Sequence, residues 1–212
     1  MTRLMKTILL PVLLAVAYFG ANAKTGDTVD RLVDQVLDRT SELLRGAGGP
    51  AGGGAVPAGQ VIDVAFSPAA GGEELILKAI GSARSSIGVA AYSFTSPVVS
   101  KALLNAKKRG VDVRVIVDDN GNRSKASLGA LNLLSSAGIP TRTISRYAIH
   151  HDKYMVIDKQ TVQTGSFNYS KAAAKSNSEN VVVIWNNPDV ALTYLRHWQD
   201  RFDQGIPYKP AY

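Results

Sequence analysis

The chain contains no cysteine in 212 residues. Disulfides, thiolate nucleophiles and cysteine-bound zinc or iron–sulfur centres are therefore excluded. Histidine is scarce as well, at His150, His151 and His197 only. The uncharged apolar run Thr7–Phe19 is about 13 residues long, short of the ~20 a membrane-spanning helix needs. No internal repeat is present. Acidic residues are the minority charge: Lys+Arg number 24 and Asp+Glu 17, a formal balance of +7. A positive surplus favours polyanionic partners, nucleic acid or acidic lipid headgroups, without choosing between them. Hydrophobic residues make up 45%, enough to bury a core and to exclude disorder for most of the chain.

Residues 1–23 combine Arg3 and Lys6, the apolar run and Ala21-Asn22-Ala23. That order reads as a secretory signal cleaved before Lys24, so the protein is expected to be exported, to the periplasm or beyond. A membrane anchor is the competing reading, and the short apolar run speaks against it. Residues 24–45 carry Val29, Leu32, Val33, Val36, Leu37, Leu43 and Leu44 at helical spacing. They form an amphipathic helical extension, packed on its own domain or pairing with a second helix. Residues 46–60 are a Gly/Pro/Ala-rich linker. The charge surplus lies beyond it: residues 61–212 hold 18 basic and 12 acidic side chains.

Residues 61–212 alternate strand and helix patterns. Strands are expected at Val61–Phe66, Ile87–Phe94, Val111–Val117, Tyr154–Ile157, Thr161–Thr164 and Val181–Trp185. Helices are expected at Glu73–Ala83, Pro97–Arg109, Ser127–Ala137 and Asp189–Phe202, two of them closed by Gly110 and Gly138. This alternation predicts an α/β layered domain with a mixed sheet.

The chemistry concentrates in 151–180. His151 and Lys153 stand two apart, so on an extended segment both side chains project into one site. Gly165 permits close backbone approach to a ligand, and Ser166 and Asn168 again share a side. Glu179 precedes an apolar strand. Lys153 and Asn168 can donate to phosphate oxygens, and a neutral imidazole can attack phosphorus. A carboxylate can hold such an imidazole in the required tautomer.

The pattern H-x-K-x4-D followed by x6-G-S-x-N, carried by His151, Lys153, Asp158, Gly165, Ser166 and Asn168, resembles the HKD motif of the phospholipase D superfamily. IDVAFSP (62–68), AYSFTSP (91–97), AKKRGVDVRVIVDD (106–119), NSENVVVIW (177–185) and HWQDRF (197–202) are similar to small secreted bacterial endonucleases bearing a single HKD motif. The resemblance implies a layered α/β/α phospholipase D-like domain with a mixed central sheet. It implies a metal-independent phosphodiesterase that needs no cofactor. His151 would attack phosphorus and form a phosphohistidine. Lys153, Asn168 and Ser166 would bind the phosphate, and Glu179 would hydrogen-bond the nucleophilic histidine. Asp158 counts among the catalytic residues of the motif, as an organiser rather than the direct acid. A second histidine would protonate the leaving oxygen. The chain supplies one motif, so that partner is expected from a homodimer sharing one site.

Other features have competing readings. His150-His151 with Asp152 or Asp158 suggests a metal cluster, which the Lys153 ammonium would oppose. Asp118-Asp119 resembles a metal-binding strand end or the start of a loop. Lys107-Lys108-Arg109 suits a helix C-terminus or nucleic acid. Tyr92 and Phe94 suit the core or a groove, and Phe167 and Tyr169 suggest base stacking. His197 is expected to pack its helix. Nucleic acid, DNA in particular and read with little sequence preference, is the expected partner, with no stable membrane insertion once the signal is removed. A lipid-directed phospholipase D and a non-catalytic DNA-binding accessory protein are the alternatives.

Overall fold

A computed structural model describes residues 60–210. The signal, the helical extension and all of the linker but its last residue lie outside the described residues. The elements, in order, are β1 (Val61–Ser67), α1 (Gly72–Ser82), β2 (Ser86–Ala91), α2 (Pro97–Lys108), β3 (Asp112–Asp118), a 3-10 turn (Asn120–Asn122), α3 (Lys125–Ser136), β4 (Thr141–Ile144), β5 (Lys153–Ile157), β6 (Thr161–Gly165), α4 (Lys171–Lys175), β7 (Glu179–Trp185), α5 (Pro188–Gln204) and β8 (Ile206–Pro207).

The eight strands form one mixed sheet in the order β1-β7-β6-β5-β2-β3-β4-β8. β2, β3 and β4 run parallel through α2 and α3, and β5, β6 and β7 form an antiparallel meander. β5 joins the two halves by pairing antiparallel with β2. Strand pleating then sorts the side chains. Val113, Val115 and Val117 of β3 pack with Ile76, Ile80, Val99, Leu103, Leu131 and Leu134 on one face. Ile116, with Tyr154 and Val156 of β5, packs under Trp198 and Phe202 of α5 on the other. Helices therefore cover both faces, giving the layered α/β/α architecture with a mixed central sheet.

Local chemistry explains several boundaries. Ser96 caps α2 by accepting the Val99 N–H at 3.2 Å, with proline as the first helical residue. Arg109, just past that helix, donates to the terminal carbonyl of Ile80 at 3.2 Å and to those of Gly81 and Ala83 at 3.4 Å. It is thus part of the seam between α1 and α2. Gly88 has no side chain because Trp198 lies against it: a Cβ would stand 2.9 Å from the indole. The Trp198 Nε1–H donates to the Val89 carbonyl at 2.9 Å and fixes α5 across the sheet.

The structure departs from the sequence reading at four elements. The second strand ends at Ala91, not Phe94. Beyond it, the Phe94 N–H turns to the Asn122 side chain at 2.8 Å. β4, α4 and β8 have no counterpart in the periodicity. β4 is only four residues with two buried positions, and β8 is two residues held by pairing with β4. Their existence depends on a neighbour already in place.

Candidate active site

Antiparallel pairing brings separated segments to one end of the sheet. Lys153 opens β5 opposite Ala91, while Gly165 closes β6 opposite Val181 near the start of β7. His151, Lys153, Ser166, Asn168 and Glu179 therefore all come from loops or strand tips at this end. Asp118, at the end of β3 and 3% exposed, anchors the approach. Its carboxylate accepts the His150 N–H at 2.8 Å and the Gly121 N–H at 2.6 Å. Asp119 pairs with Arg123 instead. The two aspartates organise a loop, as a strand end leading into a turn requires.

His151 is exposed, and its ring lies 4.7 Å from that of Tyr92. The Lys153 Nζ sits 5.3 Å over the same Tyr92 ring and donates to the His151 carbonyl at 2.9 Å. Lys153 is only 8% exposed. Burial lowers its pKa, opposed by the charges of Asp152 and Glu179. The ammonium is thus sheltered next to the exposed imidazole, where an anion would meet both. Asn168, three residues past Gly165, has a buried amide oxygen with no hydrogen-bond partner.

Glu179 is placed differently from the sequence expectation. Its two carboxylate oxygens accept from Ser166 Oγ and, at 2.9 Å, from Asn177 Nδ2, not from His151. Ser166 Oγ in turn accepts the Asn180 N–H at 3.1 Å. Glu179 fixes the Ser166 loop and adds negative potential near Lys153. Gly165 also has another reason than ligand approach. Its φ is +147°, and a Cβ there would lie 2.2 Å from the Asn180 carbonyl oxygen. The neighbouring strand demands glycine.

Asp158 is not brought to this cluster. It lies at the opposite end of β5, five residues and about 16 Å of extended chain from Lys153. There its carboxylate accepts from the backbone N–H groups of Arg84, Ser85 and Ser86 at 2.8, 2.7 and 2.9 Å. It also accepts the Ser85 hydroxyl at 2.9 Å. Burial pushes its pKa up, but the bonds from Ser86, Ser85 and Arg84 outweigh it and the net shift is downward. Asp158 is an organiser of the α1–β2 turn, with no contact to the reacting end.

Base stacking by Phe167 or Tyr169 is overturned: both are 0% exposed and belong to the core. Phe94 is buried with them, edge-on to Tyr169 at 5.9 Å. Tyr92 alone of this aromatic group borders the site. His150 points inward, 3% exposed, and burial lowers its pKa against the pull of Asp152 and Asp118. Among the described residues no three His, Asp or Glu side chains converge to hold a metal ion.

His197, expected to pack its helix, joins α5 to the sheet and also has a place that the expectation did not include. It borders the same cavity, of about 480 Å³, as His151, Lys153, Gly165 and Thr193. Its Nδ1 lies 2.8 Å from the Tyr154 hydroxyl. The two are 43 positions apart, and only the crossing of α5 over β5 joins them. A polar series Thr193, His197, Arg201 at four-residue spacing on an otherwise amphipathic helix was the available signal.

The sequence profile of the family described as cardiolipin synthase, PLD-like domain, matches residues 76–204. A protein named phospholipase D from Rickettsia conorii is 37% identical over 140 residues, covering 66% of this chain and 68% of that protein. The mitochondrial cardiolipin hydrolase of Mus musculus is 31% identical over 137 residues, covering 65% of this chain and 61% of that protein. The crystal structure of Nuc from Salmonella typhimurium, a phospholipase D family member, superposes with a TM-score of 0.70 at 51% identity. That match covers 71% of this chain and 99% of the other. With the HKD residues His151 and Lys153 set at one end of a matching fold, the chain belongs to the phospholipase D superfamily of phosphodiesterases.

Proposed function

We propose that the protein is a metal-independent endonuclease that hydrolyses nucleic-acid phosphodiesters through a phosphohistidine, in a site shared by two copies of the chain. The observation that carries this reading is the exposed His151 imidazole beside the sheltered Lys153 ammonium. Lys153 and Asn168 hold the non-bridging oxygens. The His151 lone pair attacks phosphorus, the bond to the leaving ester oxygen breaks, and an imidazolium protonates that oxygen. Water then gives its proton back to that imidazole, attacks phosphorus and releases His151. The cations balance the charge developing on the phosphoryl oxygens.

The second imidazole is His151 of another copy, across a two-fold axis. His150 does not serve, because it faces the interior. The nucleic-acid assignment is supported by the resemblance to single-motif endonucleases and by the basic balance of 61–212. Phosphate contacts of this kind give salt-sensitive binding with little sequence preference. Export rests on residues 1–23, and an amino terminus at Lys24 in protein recovered outside the cytoplasm is its test.

The test of function is incubation of the purified protein with plasmid DNA in excess EDTA. Cutting that is lost in His151→Ala supports the reading, and loss of cutting on chelation overturns it. A lipid-directed phospholipase D is the second reading. It is favoured by the names of the Rickettsia and mouse relatives and by Ile149, 53% exposed two residues before His151. Among the described residues no helix is long and apolar enough to cross a membrane. Headgroup release from anionic vesicles without DNA cutting would decide for lipid. DNA binding without either activity would decide for an accessory protein.

A further inference from the structure

The cavity beside His151 has a second imidazole that the proposed reaction does not use. His197 projects from α5 with its side chain 42% exposed. Its partner, Tyr154, is 4% exposed and packs edge-on against Tyr194 at 4.9 Å. Burial, together with the Asp152 charge, raises the Tyr154 pKa far above the ordinary value, so the phenol keeps its proton. A neutral His197 ring accepting that proton at Nδ1 carries its own on Nε2. With the phenol as the donor of this bond, the second nitrogen is an N–H donor.

Satisfying the Tyr154 hydroxyl uses one edge of the ring and leaves the other unspent. Thr193, one turn before His197, borders the same cavity. Arg201, one turn after it and paired with Asp200, is close enough for its charge to act on His150 and Tyr154. The Thr193 hydroxyl is spent on the Asp189 carbonyl at 3.0 Å, so on this face of α5 the His197 ring is the group turned to the cavity with an unspent edge. Lys153 and Asn168 already serve the scissile phosphate. A further donor on the wall of the same cavity suits a second phosphate of a bound strand.

We propose that His197 is a binding residue for the phosphate adjacent to the scissile one, donating through Nε2–H and favouring polymeric substrates over isolated diesters. The inference rests on the nucleic-acid reading above. Its experiment compares wild type with His197→Ala on a labelled oligonucleotide and on bis(p-nitrophenyl) phosphate, which holds a single phosphate. A charge-assisted hydrogen bond is worth enough to change affinity about tenfold. The expected result is a rise in KM for the oligonucleotide about tenfold larger than any rise for the small diester, with kcat for the oligonucleotide falling far less. His197→Gln, which keeps an N–H donor, is expected to recover part of that selectivity. Equal losses on both substrates overturn the proposal, as does an unchanged KM on both. If His197→Ala does not fold, Tyr154→Phe frees the ring from its partner and is expected to shift the same selectivity. Absence of that shift overturns the proposal too. Wild-type protein that hydrolyses the small diester but no oligonucleotide removes the nucleic-acid reading and this contact together. Wild-type activity on both, with unchanged selectivity in His197→Ala, removes the contact alone.

Discussion

Gly165 and the Asn180 carbonyl approach so closely that a Cβ at position 165 would stand 2.2 Å from the oxygen. Ser166 follows directly on Gly165 and Glu179 opens the neighbouring strand, so the close approach sets the geometry of the site floor. Gly165→Ala must separate β6 from β7 and hold alanine at a positive φ. The expected cost is about 2–4 kcal/mol. Thermal unfolding measures it, and a melting temperature equal to wild type would refute the argument.

Asp158 holds the α1–β2 turn at the far end of β5, so Asp158→Asn is expected to weaken the fold more than the chemistry. Loss of a charged acceptor with several N–H donors costs about 1–3 kcal/mol. Its folded pKa lies below the unfolded value, so its stabilisation is whole above about pH 5 and is lost as pH falls below about 4. Denaturant titrations should therefore separate wild type from Asp158→Asn at neutral pH and bring them together in acid. A difference that grows on acidification contradicts this assignment. kcat near neutral pH should stay within about threefold, a change of under 1 kcal/mol in barrier.

A shared centre predicts dominant inhibition. Co-refolding equal amounts of wild type and His151→Ala leaves about a quarter of the dimers with both imidazoles, if pairing is random. Nuclease activity per wild-type subunit should fall to about half. Activity that simply follows the amount of wild-type protein would show that each copy works alone. Mixing His151→Ala with Glu179→Ala should likewise fall short of the wild-type rate.

Gly88 tests how tightly α5 is seated. Gly88→Ala places a methyl group 2.9 Å from the Trp198 ring, and Trp198 is 3% exposed. The ring has to move, with a destabilisation of about 1–3 kcal/mol. Tryptophan emission should shift to the red as the indole gains water. Emission and stability matching wild type would mean the helix slides freely over the sheet.

The legible parts of the sequence were those with local causes. Alternating Val113, Val115 and Val117 announce β3 without help, and Ser96-Pro97 announces the start of α2. The HKD spacing identifies His151 and Lys153 because period-two geometry places both on one side. Residues whose role depends on a distant neighbour were misread. Phe167 and Tyr169 flank Asn168 in sequence, yet the chain between β6 and α4 folds both rings under the sheet. Glu179 has its carboxylate turned to Ser166 and Asn177 by the β6–β7 register, which no local pattern encodes. His197 packs its helix as expected, but its place on the His151 cavity appears only once α5 crosses β5 and meets Tyr154. Gly165, expected to let backbone approach a ligand, is required by the Asn180 carbonyl of the neighbouring strand, a contact that no local pattern encodes.

The four residues between Lys153 and Asp158 are rungs of one ladder. Tyr154 and Val156 belong to the α5 side, Met155 and Ile157 to the opposite core. Removing one rung would exchange the two sets, driving a phenol into a space shaped for thioether and stranding His197 without its partner. The motif's arithmetic is thus imposed by the pleat: insertions or deletions in this arm are tolerable only in pairs, however well the reactive tip is preserved.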